Sequence, residues 1–362
     1  MRASRIRLLW LLALGSGWLV AGWLNPAFAA DDKDQGTAKP AAAGEIQSGG
    51  RGEGFQPECA QDECPTTFGP IITDTAIPVE KGKFVIQPTF GMSFVTNSLT
   101  QSWRRVSAGG NFKTYSMYWK FTYGLWNNLE AFVVIPYVQN WAGSVQEPGA
   151  NGERFANFGG LSDFNLTFKY RLVEETEIRP TVTALFATTY PTGHFRHLNP
   201  GRLGTDQLGG GSYGFTSGFN MSKYVKPFIF YANIWYTMQT AFNTREDRSG
   251  QVLDENGDLA EGDPVSTQVR NYPRDFVTLN LAAEYPITKK WVALLELTSY
   301  WRGGRLVGHQ ANTAPAASVS VSPGIEYMAT DKFSLALGLN IDLLGKNTNA
   351  ALTPLLSMAY AF

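Results

Sequence analysis

Eight ionisable residues stand where an alternating chain would turn its polar side inward: Lys120, Glu130, Asp163, Lys169, Arg171, Glu284, Glu296 and Glu326. Facing one another across a narrow bore, such groups do electrostatic rather than covalent chemistry. Two arrangements fit them. They form either a charge network that fills the interior of a small barrel or a constriction that selects solutes. Lys120 and Glu130 flank the same short connection and are expected to lie close together.

Other chemistry finds little footing. The three histidines, His194, His197 and His309, all fall in long connections. A hydrolase on the outer wall of a barrel needs a strand-borne histidine beside a serine, so no catalytic residue is assigned. GHFRHLNPGR gathers two histidines and two arginines, which reads as a metal or anion site or as an ordinary solvated loop. In LDENGDLAEGD, Asp254, Asn256 and Asp258 lack the spacing and flanking helices of a calcium loop. Asn256-Gly257 there reads as a hairpin turn, within an acidic loop 241–272 open to weak divalent binding. Gly209-Gly210-Gly211 precedes a strand and lacks the lysine and helix of a phosphate cradle. No metal or cofactor is therefore expected.

The elements that must position the eight residues are strands. In KFVIQPTFGMSF the large apolar residues Phe84, Ile86, Phe90, Met92 and Phe94 alternate with Gln87, Thr89, Gly91 and Ser93. TYSMYWKFTY, LSDFNLTFKYRL and DKFSLALGLNID repeat the two-residue period, the signature of a strand with one apolar face. About twelve such segments begin near residues 83, 113, 128, 161, 180, 212, 227, 274, 290, 316, 331 and 351. Each is long enough to cross a bilayer at a tilt. Connections alternate between short (LWNN, EETEI, KYVK, ITKK, ATDK) and long (near 95–111, 139–160, 191–211, 241–272, 303–315 and 343–349). This is the pattern of an all-β, up-and-down antiparallel transmembrane barrel of the Gram-negative outer membrane, with short periplasmic turns. Aromatics fall near the strand ends as girdles: Trp126, Tyr170, Tyr285, Trp291 and Tyr327 at one end, Tyr137, Tyr190, Tyr213 and Trp301 at the other.

Composition agrees. Aromatic residues make up 13%, charged residues only 17%, and glycine counts 37. The basic start with Arg2, Arg5 and Arg7, the apolar run LLWLLALGSGWLVAGWL and Ala27-Phe28-Ala29 form a secretory signal over residues 1–29. Its loss takes three arginines and no acid from a net charge of −1, leaving −4, which is no footprint for nucleic acid. Residues 30–78 are low in complexity and form a flexible periplasmic segment or a plug, ahead of a barrel over residues 79–362. That segment holds Cys59 and Cys64, the two cysteines of the chain. In an exported protein a disulfide is the default, with a metal pair as the alternative.

The final stretch LLSMAYAF places Leu356, Met358, Tyr360 and Phe362 on one face and small residues on the other. Such a strand closes a barrel against the first one, leaving no unpaired edge in lipid. It also resembles the terminal signal read by the outer-membrane assembly machinery. The expected partners are thus the lipid bilayer, that machinery and a small-molecule solute, with the barrel acting as a monomer.

Three stretches carry a family resemblance: ITDTAIPVEKG before the first strand, GGLSDFNLTFKYRLVEETEIRPTVTALFATTYPTG, and LGTDQLGGGSYGF. Over roughly residues 70–362 the chain resembles the outer-membrane proteins of the MetA-pathway of phenol degradation family. The resemblance implies passive uptake of small molecules, aromatic ones included, and no catalytic residues. The chain departs from the family at Thr73-Asp74-Thr75-Ala76, where an Asp-Arg-Pro-Asp-like run is expected. Two rivals stand beside a simple channel. One is a barrel plugged by its N-terminal segment, similar to the long-chain fatty-acid transporters. The other is a closed structural or adhesive barrel acting through loops 191–211 and 241–272.

Overall fold

The computed structural model describes residues 67–145, 152–248, 251–253, 259–261, 265–306 and 308–362. The signal, Cys59, Cys64, Asp254, Asn256 and Asp258 lie outside the described residues.

Twelve strands close into an antiparallel barrel. They are β1 (Phe84–Leu99), β2 (Asn111–Trp126), β3 (Leu129–Val145), β4 in two segments (Arg154–Leu161 and Phe164–Val173), β5 (Thr181–Tyr190), β6 (Gly214–Val225), β7 (Phe228–Gln239), β8 (Asp275–Pro286), β9 (Trp291–Gly304), β10 (Ala316–Thr330), β11 (Phe333–Lys346) and β12 (Thr348–Ala361). Each pairs with its sequence neighbour, and β12 returns to β1 through Val85–Ala361, Ile86–Tyr360 and Phe90–Leu356. Closure gives every strand two partners, so no row of amides is left facing lipid. The Phe362 amide donates to the Phe84 carbonyl at 2.9 Å, and the two rings lie 5.8 Å apart.

The two-residue period sorts side chains as the sequence predicts. Along β1, Val85, Gln87, Thr89, Gly91 and Ser93 are buried inside while Phe84, Ile86, Phe90, Met92 and Phe94 look outward. On β4 and β11 the outward set includes Tyr170, Leu172, Leu337 and Leu339, all substantially exposed. Girdle aromatics meet across strands, with Trp291 and Tyr327 ring centres 4.6 Å apart at the short-turn end.

Two expectations are corrected. Residues 343–349 are not a long connection: Asn347 alone separates β11 from β12, at a positive φ of 49°. Asparagine tolerates this conformation because its short side chain can bond locally; its amide donates to the Pro315 carbonyl at 2.7 Å. The span 139–160 is likewise mostly strand, since β3 runs to Val145 and β4 starts at Arg154. β4 is also interrupted. Its ladder with β3 shifts by one residue between Tyr137–Leu161 and Val134–Asn165. Pro136, which cannot donate to the ladder, faces the break at Ser162-Asp163, and its carbonyl accepts from the Ser162 amide at 3.0 Å.

Leu337 tests the assignment of the outer face. Placing a charge there, as Leu337→Arg, is expected to lower folding stability in lipid vesicles by about 2–4 kcal/mol if the site lies near mid-bilayer. A denaturant titration of the refolded protein reads the loss. A neutral substitution would remove Leu337 from the lipid-facing set.

Candidate functional site

Residues 67–79 lie inside the barrel as a loop that enters and leaves at the short-turn end, where Glu80, Lys81 and Gly82 are exposed. The local sequence explains why it is extended. TTFGPIITDTAIPVEKG has prolines at 70 and 78 and β-branched residues between them, a composition that disfavours helix. An extended segment cannot satisfy its own amides, and away from water each one needs an acceptor. The barrel wall supplies these acceptors from side chains.

Three lumen carboxylates hold the backbone. Glu296 on β9 accepts from the amides of Ile71 at 2.9 Å, Ile72 at 3.1 Å and Thr73 at 2.6 Å. Successive amides converging on one carboxylate make a strong anion seat. Glu326 on β10 accepts from the Phe68 amide at 3.1 Å and the Thr67 hydroxyl at 2.7 Å. Glu130 on β3 accepts from the Val79 amide at 2.5 Å as the segment leaves. Between these points Ser222 accepts from the Ala76 amide at 2.8 Å, and the Thr183 hydroxyl donates to the Ala76 carbonyl.

Asp74 is the apex of the loop and the charged centre of the site. Its carboxylate receives Lys120 Nζ at 3.4 Å, Lys169 Nζ at 3.3 Å and Asn220 Nδ2 at 2.7 Å. Asn233 bonds the same residue's backbone twice, accepting from the amide at 2.9 Å and donating to the carbonyl at 2.8 Å. Lys169 also meets Glu130 at 2.6 Å and the Thr75 carbonyl at 2.9 Å. The Lys120 ammonium lies 4.2 Å from the centre of the Phe132 ring, a cation–π distance. All four charged groups are buried, so each depends on the others to offset its desolvation.

Apolar contacts complete the seat. Ile71 and Ile72 pack with Tyr118, Val292, Leu294, Ala336 and Leu355, and Phe68 and Val79 pack with Val85, Met328, Ala359 and Ala361. Gly124 leaves room for the exit: a Cβ there would lie 1.9 Å from the Glu80 carbonyl oxygen.

Of the eight residues singled out in the sequence, Lys120, Glu130, Lys169, Glu296 and Glu326 converge on this segment. Glu284 is buried in the same lower lumen and accepts from the Tyr231 hydroxyl at 2.9 Å. Arg171 stays apart, paired with Glu174 at 3.0 Å and partly exposed at the short-turn mouth. Asp163 lies away from the network, at the break in β4, where it accepts from the amides of Gly193 and Gly210. The charged groups therefore meet one another, but around a piece of their own chain rather than around an open bore. Asp74, Asn220, Asn233, Ser222 and Thr183 escaped sequence reasoning. The available signal was Asp74 itself, the one acid within TTFGPIITDTAIPV. Two of the histidines are engaged locally: His194 Nδ1 lies 2.7 Å from the Asp206 carbonyl, and the His309 ring lies tilted with its centre 5.0 Å from that of Tyr272.

The sequence matches no protein-family model, and no curated protein is similar to it in sequence. Solved structures are similar in fold. An outer membrane channel from Pseudomonas putida F1 aligns at 15% identity with a TM-score of 0.59, covering 79% of this chain and 98% of that one. A toluene transporter from Ralstonia pickettii aligns at 10% identity and a TM-score of 0.38, over 78% and 90%. The first likeness shows that the fold is that of an outer-membrane barrel. The second is too remote to add to it.

Asp74 is the point at which the seat is expected to fail. Asp74→Ala would leave Lys120 and Lys169 buried without the carboxylate at which both are directed. Breaking a buried ion pair from one side costs about 3–5 kcal/mol. Hydrogen exchange should then show the amides of Ile71, Ile72 and Thr73 losing protection while the strands keep theirs. Protection equal to the parent's would show that the apolar contacts alone hold the segment.

Proposed function

We propose that this protein is a passive channel of the Gram-negative outer membrane that takes up small molecules, with residues 67–79 closing its lower lumen at rest. The observation that carries this reading is how the closure is made. A purely structural barrel of this size can fill its interior with side chains of its own wall. Here the wall instead directs Glu130, Lys169, Lys120, Glu296 and Glu326 at a peptide that precedes the first strand. Every contact is non-covalent, and both ends of the peptide lie at one mouth, so it can withdraw without opening the barrel wall. The passage it would leave is lined by Asn220, Asn233, Ser222 and Thr183 as well as by the charged groups.

The solute class rests on the sequence resemblance over residues 70–362, which points to small aromatic or hydrophobic molecules. Monomeric insertion in the bilayer, export through the periplasm and assembly through Leu356, Met358, Tyr360 and Phe362 belong to the same reading. It assigns no catalytic residue. The lumen charges act as a latch on the peptide first and as a selectivity element only once it has moved. A closed structural or adhesive barrel is the second reading, favoured by the burial of residues 67–79.

Permeation through liposomes holding the refolded mature protein separates the two, with a small sugar compared with a neutral aromatic of similar size. With the lumen closed at rest, the channel reading expects little acceleration of either solute in the parent, and acceleration of the aromatic over bare lipid when Asp74→Ala is combined with Asp163→Ala, which frees the connection at the other mouth. If neither solute moves faster in either protein, with folding confirmed, the barrel is structural.

A further inference from the structure

The long connection 191–213 does not stand above the barrel. It turns inward to the lumen-facing Asn140 of β3 and is fixed at its base by one carboxylate. Asp163 Oδ1 accepts from the Gly193 amide at 2.8 Å and Oδ2 from the Gly210 amide at 2.7 Å. Both oxygens of a buried acid thus tie the incoming end of the loop to its outgoing end. The intervening residues 194–209 are held together as a flap.

Glycine makes the pinch possible. A Cβ on Gly193 would fall 2.8 Å from the Gly209 Cα, and one on Gly209 would fall 2.5 Å from Asp163 Oδ1. The Thr192 hydroxyl donates to the Ser162 carbonyl at 3.0 Å, and the Ser162 hydroxyl donates to the Leu208 carbonyl. The break in β4 at Ser162-Asp163 is what frees these groups from the ladder and aims them at the loop.

The far side of the flap leans on β3 and β2, two and three strands along the wall from β5. Asn140, a lumen-facing residue of β3 that accepts from the Thr114 hydroxyl, donates to the Thr205 carbonyl at 3.1 Å. Leu203 packs on Ala108, Phe112, Ala142 and Val145. Arg154 Nη2 donates to the Gly201 carbonyl at 3.3 Å, and the Arg202 guanidinium lies 4.5 Å from the Phe158 ring centre. Within the flap, Asp206 accepts from the Asn199 amide at 2.7 Å. Thr205, Asp206 and Leu208 are buried, unlike the tip of a solvated surface loop.

We infer that Asp163 is the positioning residue of a gate at the long-loop mouth, and that residues 193–210 are the flap it holds shut over the upper lumen. The inference rests on the channel reading for its purpose but not for its geometry. The two closures of the lumen are then independent. The lower one is an inserted peptide seated on ion pairs. The upper one is a hinged loop seated on backbone amides, whose movement leaves the strands and the lower peptide in place.

The test reads access to the lumen directly. A single cysteine placed below the flap, Ser116→Cys in a Cys59→Ser/Cys64→Ser chain, is exposed from outside intact cells to a membrane-impermeant maleimide. With Asp163 present the reaction should be slow. Asp163→Ala should speed it by roughly tenfold or more, the scale expected from losing even one hydrogen bond to a charged acceptor. Asp163→Asn, which keeps one acceptor and turns an N–H toward the other amide, should fall between. Asn140→Ala, which frees only the far side of the flap, should give a smaller rise. If Asp163→Ala does not assemble, folded Asp163→Asn decides. A rate equal to the parent's in Asp163→Asn overturns the gate. Faster labelling without solute flux in any variant would keep the gate and remove the channel reading.

Discussion

A backbone amide removed from water must find an acceptor, and most of this molecule follows from that constraint. The outer wall meets it by closing: β12 pairs with β1, so each strand is bonded on both sides. The lumen meets it differently. The segment at 67–79 makes no ladder, and its amides go to Glu296, Glu326, Glu130, Ser222 and Asn233. Carboxylates suit this role because each offers two oxygens and several lone pairs, so one side chain can serve successive amides. Three glutamates thereby do what another strand would do elsewhere.

The same choice explains the two buried lysines. Glutamates and Asp74 inside a barrel accumulate negative charge at low dielectric. Lys120 and Lys169, both directed at Asp74, offset part of it. Neither ion would persist there alone, since desolvation outweighs any single exposed contact. The wall's charges and the peptide's charge are thus complementary halves of one arrangement. An apolar rim of Ile71, Ile72, Phe68 and Val79 excludes water from it and strengthens each pair.

Alternation made the barrel legible. Twelve predicted segments correspond to twelve strands because a period of two directly reports which face is wet. The errors cluster where that signal is silent. The turn at Asn347 and the extensions of β3 and β4 lie near strand ends, where Gly143, Ser144, Gly159 and Gly160 interrupt the alternation. The lumen-facing charges were readable for the same reason as the strands, and Lys120, Glu130, Lys169, Glu296 and Glu326 do share one neighbourhood. Their target was not readable. Periodicity places a residue on a wall but says nothing about what occupies the bore, and ITDTAIPV carries no repeat that would seat it there. Asp163 is buried as those five groups are but is bonded to the amides of Gly193 and Gly210 instead. Its role depends on a break in β4 that only the pairing of Pro136 with Ser162 reveals.

The two ends of the lumen are closed by unlike physics, and the difference follows from what each end contacts. At the short-turn end the closing segment is continuous with β1, so it enters already tethered, and a few ion pairs suffice to fix its register. At the long-loop end the closing segment is a connection between β5 and β6, tethered at both sides and prevented from withdrawing. It can only hinge. Glycines at 193 and 209 sit at its base, where an added Cβ would collide, and a single aspartate joins the two arms. A loop held at its base by two amide bonds opens as a unit, whereas a peptide held along its length releases contact by contact.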